Sequence, residues 1–203
     1  MLAAGGSRRL GRPKQVLPYR GTTLLGHTVA TARACAFDRL VVVLGGAAEE
    51  VRTGVDLSGA EVVENPGHAA GCASSIAAGL RTLGDRWDVL VLMLGDQPGV
   101  TPATVAALLP GRGDAALAAC RYDDGRGHPL AFSRAAAGEL AGLRGDKAVW
   151  KLLDAAGDAV AEVRVPGPVP LDVDTWEDYE ALLAGTGSGA GRHDRPRRAA
   201  AGA

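Results

Sequence analysis

"MLAAGGSRRLGRPKQVLPYRG" (residues 1–21) decides how this chain is read. Gly5, Gly6, Gly11 and Pro13 in so short a span exclude a helix. Leu2 and Ala3 before them, and Val16 and Leu17 after, exclude a solvated linker. What remains is a short strand that runs into a loop whose backbone approaches something negatively charged. Glycines leave backbone amides open, and Arg9 and Lys14 add positive charge. Amides and cations gathered in one turn form an anion-binding concavity; the plainer alternative is a basic turn in water. Gly6 and Gly11 have the spacing of a Walker loop, but Arg12 and Pro13 stand where Lys and Ser or Thr are required. No GxGxxG dinucleotide fingerprint is present either.

The rest of the chain narrows the setting. With 203 residues, 47% of them hydrophobic and 22% charged, it is long enough for one packed domain. A net charge of −1 gives no global field for nucleic acid or an anionic membrane, so anion binding must be local. Cys35, Cys72 and Cys120 are odd in number and lack metal-ligand spacing, which points to reduced thiols and a cytoplasmic protein. Nothing reads as a signal peptide. The longest apolar run, around residues 89–94, is too short to cross a bilayer.

Apolar runs at 40–44, 60–63 and 89–94 suit strands buried on both faces of a parallel sheet. Between them, 22–36, 74–84 and 101–111 read as helices, the second capped by serines and the third by Thr101 with Pro102 at its first position. This alternation predicts an α/β fold with right-handed crossovers. Residues 115–132 read as a long hairpin, 133–143 and 146–156 as helices, 159–165 as a strand, and Thr175 as the cap of a last helix. The domain is expected over residues 1–184. The tail, 185–203, has four Arg, one Asp and no apolar periodicity, and is expected to be disordered.

In an open parallel sheet, ligands sit beyond the carboxyl ends of the strands. Two loops are placed there, the opening one and "GDQP" (95–98). Asp96 directly follows an apolar strand, where a carboxylate serves a hard cation such as Mg²⁺ or simply caps the turn. If both loops flank one crevice, Arg9 and Lys14 hold a triphosphate, Asp96 holds the metal, and the chemistry is nucleotidyl transfer.

"LAAGGSRRLGRPK" resembles the LAAGxSxRxGxxK signature of the MobA-like nucleotidyltransferases, with Leu2, Ala3, Ala4, Gly5, Ser7, Arg9, Gly11 and Lys14 matching and Gly6 inside the same loop. "NPGHAAGCASSIAAGL" (65–80), "GDQPGVTP" (95–102), "GRGHPLAF" (125–132) and "DVDTWEDYEAL" (172–182) follow in the family's order. The chain looks most like the branch with molybdenum cofactor cytidylyltransferases. That resemblance implies a Rossmann-like, mostly parallel sheet of order 3-2-1-4-6-5-7 with one antiparallel strand, in a three-layer sandwich of the nucleotide-diphospho-sugar-transferase type. It implies CTP as donor, Mg²⁺ as cofactor, molybdopterin as acceptor and a molybdoenzyme as client. Gly71, Ser74 and Ser75 fall where the family reads the nucleobase, although the serines could equally cap a helix. Asp174 resembles a second acidic position at the metal, with Asp172 as competitor because strand alternation would turn only one of them inward. His128 is assigned to the acceptor. Ala4, where guanylyl-type members have glycine, narrows the turn against a purine.

Two departures stand out. The family has several apolar residues before its signature, whereas Met1 and Leu2 alone precede Ala3 here, so a start further upstream is expected. "GDKAVWKLL" (145–153) has Ala148 and Trp150 where a glycine and an arginine are usual, which removes a bidentate phosphate contact that Lys147 or Lys151 replaces only in part. The competing readings are a nicotine blue oxidoreductase on the same fold and a non-catalytic molybdopterin-binding chaperone.

Overall fold

The computed structural model describes residues 1–185. Along the chain the strands are β1 (Leu2–Ala3), β2 (Pro18–Tyr19), β3 (Thr22–Thr23), β4 (Val41–Leu44), β5 (Glu61–Glu64), β6 (Val89–Leu92), β7 (Leu117–Tyr122), β8 (Gly125–Ser133) and β9 (Val160–Arg164). The helices are α1 (Leu24–Ala34), α2 (Ala48–Gly54), α3 (Cys72–Leu83), α4 (Pro102–Gly111), α5 (Ala137–Gly142), α6 (Ala148–Ala156) and α7 (Trp176–Ala184).

β1 pairs in parallel with β4, and β4 with β5. β8 lies antiparallel between β6 and β7, and β9 runs parallel to β7. A parallel bridge between Leu2 and Leu94 joins the two groups. The order is therefore β5-β4-β1-β6-β8-β7-β9. Counting these seven strands along the chain gives 3-2-1-4-6-5-7 with one antiparallel member, the order implied by the resemblance.

The inner strands β4 and β6 are apolar on successive residues because both faces are covered. On one face Val42, Leu44 and Met93 pack with Leu25 and Val29 of α1 and Val105 of α4. On the other, Leu92, Leu130 and Phe132 pack with Ile76 of α3, Leu140 of α5 and Leu153 of α6. Leu92 and Met93 point opposite ways, as pleating requires.

Several boundaries differ from the sequence reading. Residues 22–23 form β3 of a small hairpin before α1. Residues 133–143 split into a 3-10 turn (Arg134–Ala136) and the short α5. α2, absent from the sequence reading, has no side-chain cap at Ala47, and its start is marked by Glu49 and Glu50 in the first turn. The expected serine caps of α3 are overturned: the helix starts at Cys72, its N-cap is Gly71, and Ser74 and Ser75 lie inside its first turns. Thr101 does cap α4, accepting from Thr104 N–H at 3.2 Å. From residue 186 on, the tail expected to be disordered lies outside the described residues.

β1 contains two residues. Met1 N donates to Val41 O at 2.8 Å and Leu2 N to Met93 O at 2.9 Å, so the odd-numbered residues of β4 and β6 face β1. Below Met1 the same faces of Val41 and Val91 border a cavity of about 700 Å³, lined also by Leu40, Leu80 and Leu90. Burial pushes the Met1 amine down to about 5.

Candidate active site

At the opposite, carboxyl end of the strands the opening loop folds back on itself. Ser7 sits at φ 46°, in the left-handed region that L-residues seldom adopt. Its Oγ accepts from Lys14 N–H at 2.9 Å, closing residues 7–14 into a turn. Gln15, buried, locks the base of the loop by donating from Nε2 to the carbonyls of Ala3 (2.7 Å) and Gly5 (3.0 Å). The loop after β4 presses against it: a Cβ on Gly45 would lie 2.4 Å from the Ala4 carbonyl oxygen, so only glycine fits there.

The turn aims the Lys14 side chain inward. Its Nζ donates to Asp96 Oδ2 and, at 2.8 Å, to Asp174 Oδ1. Arg9 completes the chain from the other side, its NH2 donating to Asp174 Oδ2 at 2.8 Å. Side-chain exposure rises along the series from 10% for Lys14 through 19% for Asp96 and 32% for Asp174 to 61% for Arg9. Lys14 is therefore the floor of the crevice and Arg9 its mouth.

Asp174 arrives from the far end of the chain. Val173 N–H donates to Asp96 O at 3.2 Å, docking residues 172–174 on the GDQP loop. Asp178, in a capping box with Thr175, accepts from the N–H groups of Asp174 (3.1 Å) and Thr175 (2.8 Å). The expectation that strand alternation would choose between Asp172 and Asp174 fails, because this segment is not a strand. Asp174 bonds the cations, and Asp172, buried, acts on Asp96 through its charge.

The electrostatics follow from this crowding. Burial raises Asp96 above the usual carboxylate range; Lys14 opposes the shift, while Asp172 and Asp174 add to it. Burial alone would lower Lys14, but Asp96 and Asp174 outweigh it and hold the ammonium above its ordinary pKa. Asp174 is also disfavoured by burial, yet Lys14 and Arg9 keep it below the normal range. Three carboxylates thus face two cations, an imbalance that a further cation would relieve. Among the described residues no group of three or more His, Cys, Asp or Glu side chains is placed to hold a metal. Asp96 and Asp174 nevertheless converge on one point, the Lys14 ammonium. Two carboxylates, with substrate phosphates and water for the remainder, is the donor set a hard divalent cation such as Mg²⁺ takes. The residues fit such an ion.

Arg9, Lys14, Asp96 and Asp174 are therefore brought together. Of the other candidates, Ser7 joins Lys14 through its Oγ, while Gly71, Ser74, Ser75 and His128 belong to neighbouring elements. Gly71 holds φ 101° at the start of α3, and a Cβ there would lie 2.5 Å from Asp146 Oδ1. Asp146 in turn accepts from Cys72 N–H at 3.1 Å. Ser74 and Ser75 accept from Asn65 Nδ2 at 2.8 and 3.1 Å, and Ser74 Oγ also bonds the Gly71 carbonyl at 2.8 Å. Both hydroxyls thus already have partners within the protein. His128, 3% exposed, meets the Trp150 ring edge-on, with centroids 5.2 Å apart. Burial, then Asp146 and Asp96, push the Cys72 thiol up to about 11, which makes it a poor nucleophile. Sequence reading missed Gln15, Asn65 and Asp146, which carry no motif of their own. Asp178 lies inside the quoted 172–182 stretch, where it had no role of its own.

Residues 1–160 match the model of the MobA-like NTP transferase domain. Nicotine blue oxidoreductase of Paenarthrobacter nicotinovorans is 30% identical over 202 residues, covering 90% of this chain and 94% of that protein. A solved structure of the Mycobacterium tuberculosis rv0371c homolog from Mycobacterium sp. strain JC1 superposes with a TM-score of 0.84 at 51% identity, covering 92% of this chain and 94% of that one. Rv0371c from M. tuberculosis H37Rv, solved as a complex with manganese, superposes with a TM-score of 0.79 at 48% identity, covering 90% and 95%. Among the described residues no helix is long and apolar enough to cross a membrane.

Proposed function

The chain belongs to the MobA-like NTP transferase domain family, and on that premise we propose that it transfers CMP from CTP to the phosphate of molybdopterin, with Mg²⁺ between Asp96 and Asp174. The observation that carries this reading is the convergence of Arg9 and Lys14, from the opening loop, on Asp96 and Asp174, from two distant parts of the chain. Such a site holds anionic phosphates and a cation in one place.

Arg9, at the mouth, binds the outer phosphates, and the open amides of Gly5, Gly6 and Ser7 bind the inner ones. Lys14 adds charge at the crevice floor. Asp178 fixes the backbone of Asp174, and Gln15 fixes the loop, so these charges are oriented before substrate arrives. A bound divalent cation supplies the charge that offsets the departing pyrophosphate. Gly71 and the first turn of α3 face the base through backbone groups, since the Ser74 and Ser75 hydroxyls are engaged by Asn65. Ala4, buried at the turn, favours a pyrimidine. His128 and Trp150 form the wall on the acceptor side.

The test is a thermal-shift screen of the four NTPs with Mg²⁺, followed by pyrophosphate release from CTP with molybdopterin. Selective stabilisation by CTP and acceptor-dependent release are expected. A second reading, redox chemistry on the same fold, is favoured by the 30% identity to nicotine blue oxidoreductase. NADH-dependent reduction of a quinone-like dye, with no response to any NTP, would select it.

A further inference from the structure

We infer that Lys14 is a built-in occupant of the metal position: its ammonium fills the point between Asp96 and Asp174 and must leave before those carboxylates can take a divalent cation. The inference rests on the function proposed above. Two observations carry it. The ammonium touches one oxygen of each carboxylate, at 2.8 Å for Asp174, so there is no room for a metal bonded to both while it stays. Lys14 is the least exposed member of the quartet, so the contact is not a loose surface pair.

The consequence is coupling. A triphosphate drawn in by Arg9 offers the ammonium a new anionic partner, and Lys14 swings to it as the carboxylates are vacated. Metal and nucleotide then bind together more strongly than either binds alone, as two ligands selecting the same rearranged state must. Without nucleotide, Lys14 competes with the metal.

Mn²⁺ binding, read by electron paramagnetic resonance on the full chain without nucleotide, tests this directly. Lys14→Ala is expected to bind Mn²⁺ at least about tenfold more tightly than wild type, since a site blocked nine-tenths of the time loses that factor in apparent affinity. Lys14→Met keeps the stem and its packing, and should show the same gain if the alanine variant folds poorly. Added CTP should tighten Mn²⁺ binding in the wild type and far less in Lys14→Met. If neither variant gains affinity while Asp96→Asn still abolishes Mn²⁺ binding, the lysine role is wrong and the metal site stands. If Asp96→Asn in the Lys14→Met background leaves Mn²⁺ binding intact, the metal reading itself fails, and this inference with it.

Discussion

The two ends of the sheet obey opposite rules. At the carboxyl end the loops are rich in glycine, and the charges Arg9, Lys14, Asp96 and Asp174 are bonded to one another. At the amino end a cavity of about 700 Å³ is walled by apolar residues such as Leu40, Val41, Leu90 and Val91. The strand direction explains this: helices that follow parallel strands begin at the carboxyl end, so open amides and loop glycines collect there. The amino end receives helix C-termini, which Arg39 serves by donating to the carbonyls of Thr82 and Leu83 at 3.1 and 2.9 Å.

If this division is right, substitutions at the carboxyl end remove activity and those at the amino end change stability. The largest effect is expected for Asp96→Ala, which should cut metal-dependent pyrophosphate release by about 10³-fold, on the scale of losing one preorganised charge-stabilising group. Lys14 keeps Asp174 as a partner in that variant, so cooperative melting should survive; loss of the melt would show Asp96 to be structural. Next, Arg9→Ala should weaken nucleotide binding by about tenfold, as for a lost charge-assisted hydrogen bond, with an unchanged melting temperature. Titration calorimetry with CTP checks this.

The amino end gives the smaller effects. Three apolar residues added in front of Met1, in extended conformation, would fill the slot between β4 and β6. Burial of that size raises the melting temperature by about 5 °C without altering turnover. An unchanged melt would mean that the slot does not accept a strand. Last, the Met1 amine, pushed down to about 5 from 8.0, binds a proton more readily in the unfolded chain. Stability should therefore rise with pH from about 5 to 8 and be lost as pH falls through that window. Fraying of Met1 caps the effect at about 2 kcal/mol, the burial it gives up. Acetylating the amine should flatten the slope in a urea-denaturation series.

How much of this was legible in the sequence differs between the two ends as well. The apolar runs around 40–44 and 89–94 gave the buried parallel strands, and Thr101 and Thr175 marked helix starts, because those signals are local. Arg9, Lys14 and Asp96 were legible as residue types that make no sense as packing. Asp174 was reached only by resemblance, and its rivalry with Asp172 was argued from a strand that is not there. Gln15 and Asn65 could not be found: each works through a pair of side-chain bonds, to two carbonyls or two hydroxyls 9–12 residues away, and sequence spacing carries no trace of that. The serines of α3 were misread as caps because Gly71, at φ 101°, starts the helix two residues earlier. The cavity left no trace either, since its apolar residues, such as Leu40, Val41, Leu90 and Val91, read as ordinary core.

The most direct measurement is phosphorus electron–nuclear double resonance on Mn²⁺ in the presence of CTP. A ³¹P coupling is expected in the wild type, showing metal and triphosphate in one site, and it should vanish in Asp96→Asn. A coupling that persists undiminished in Asp96→Asn would place the metal and its nucleotide elsewhere and contradict the account.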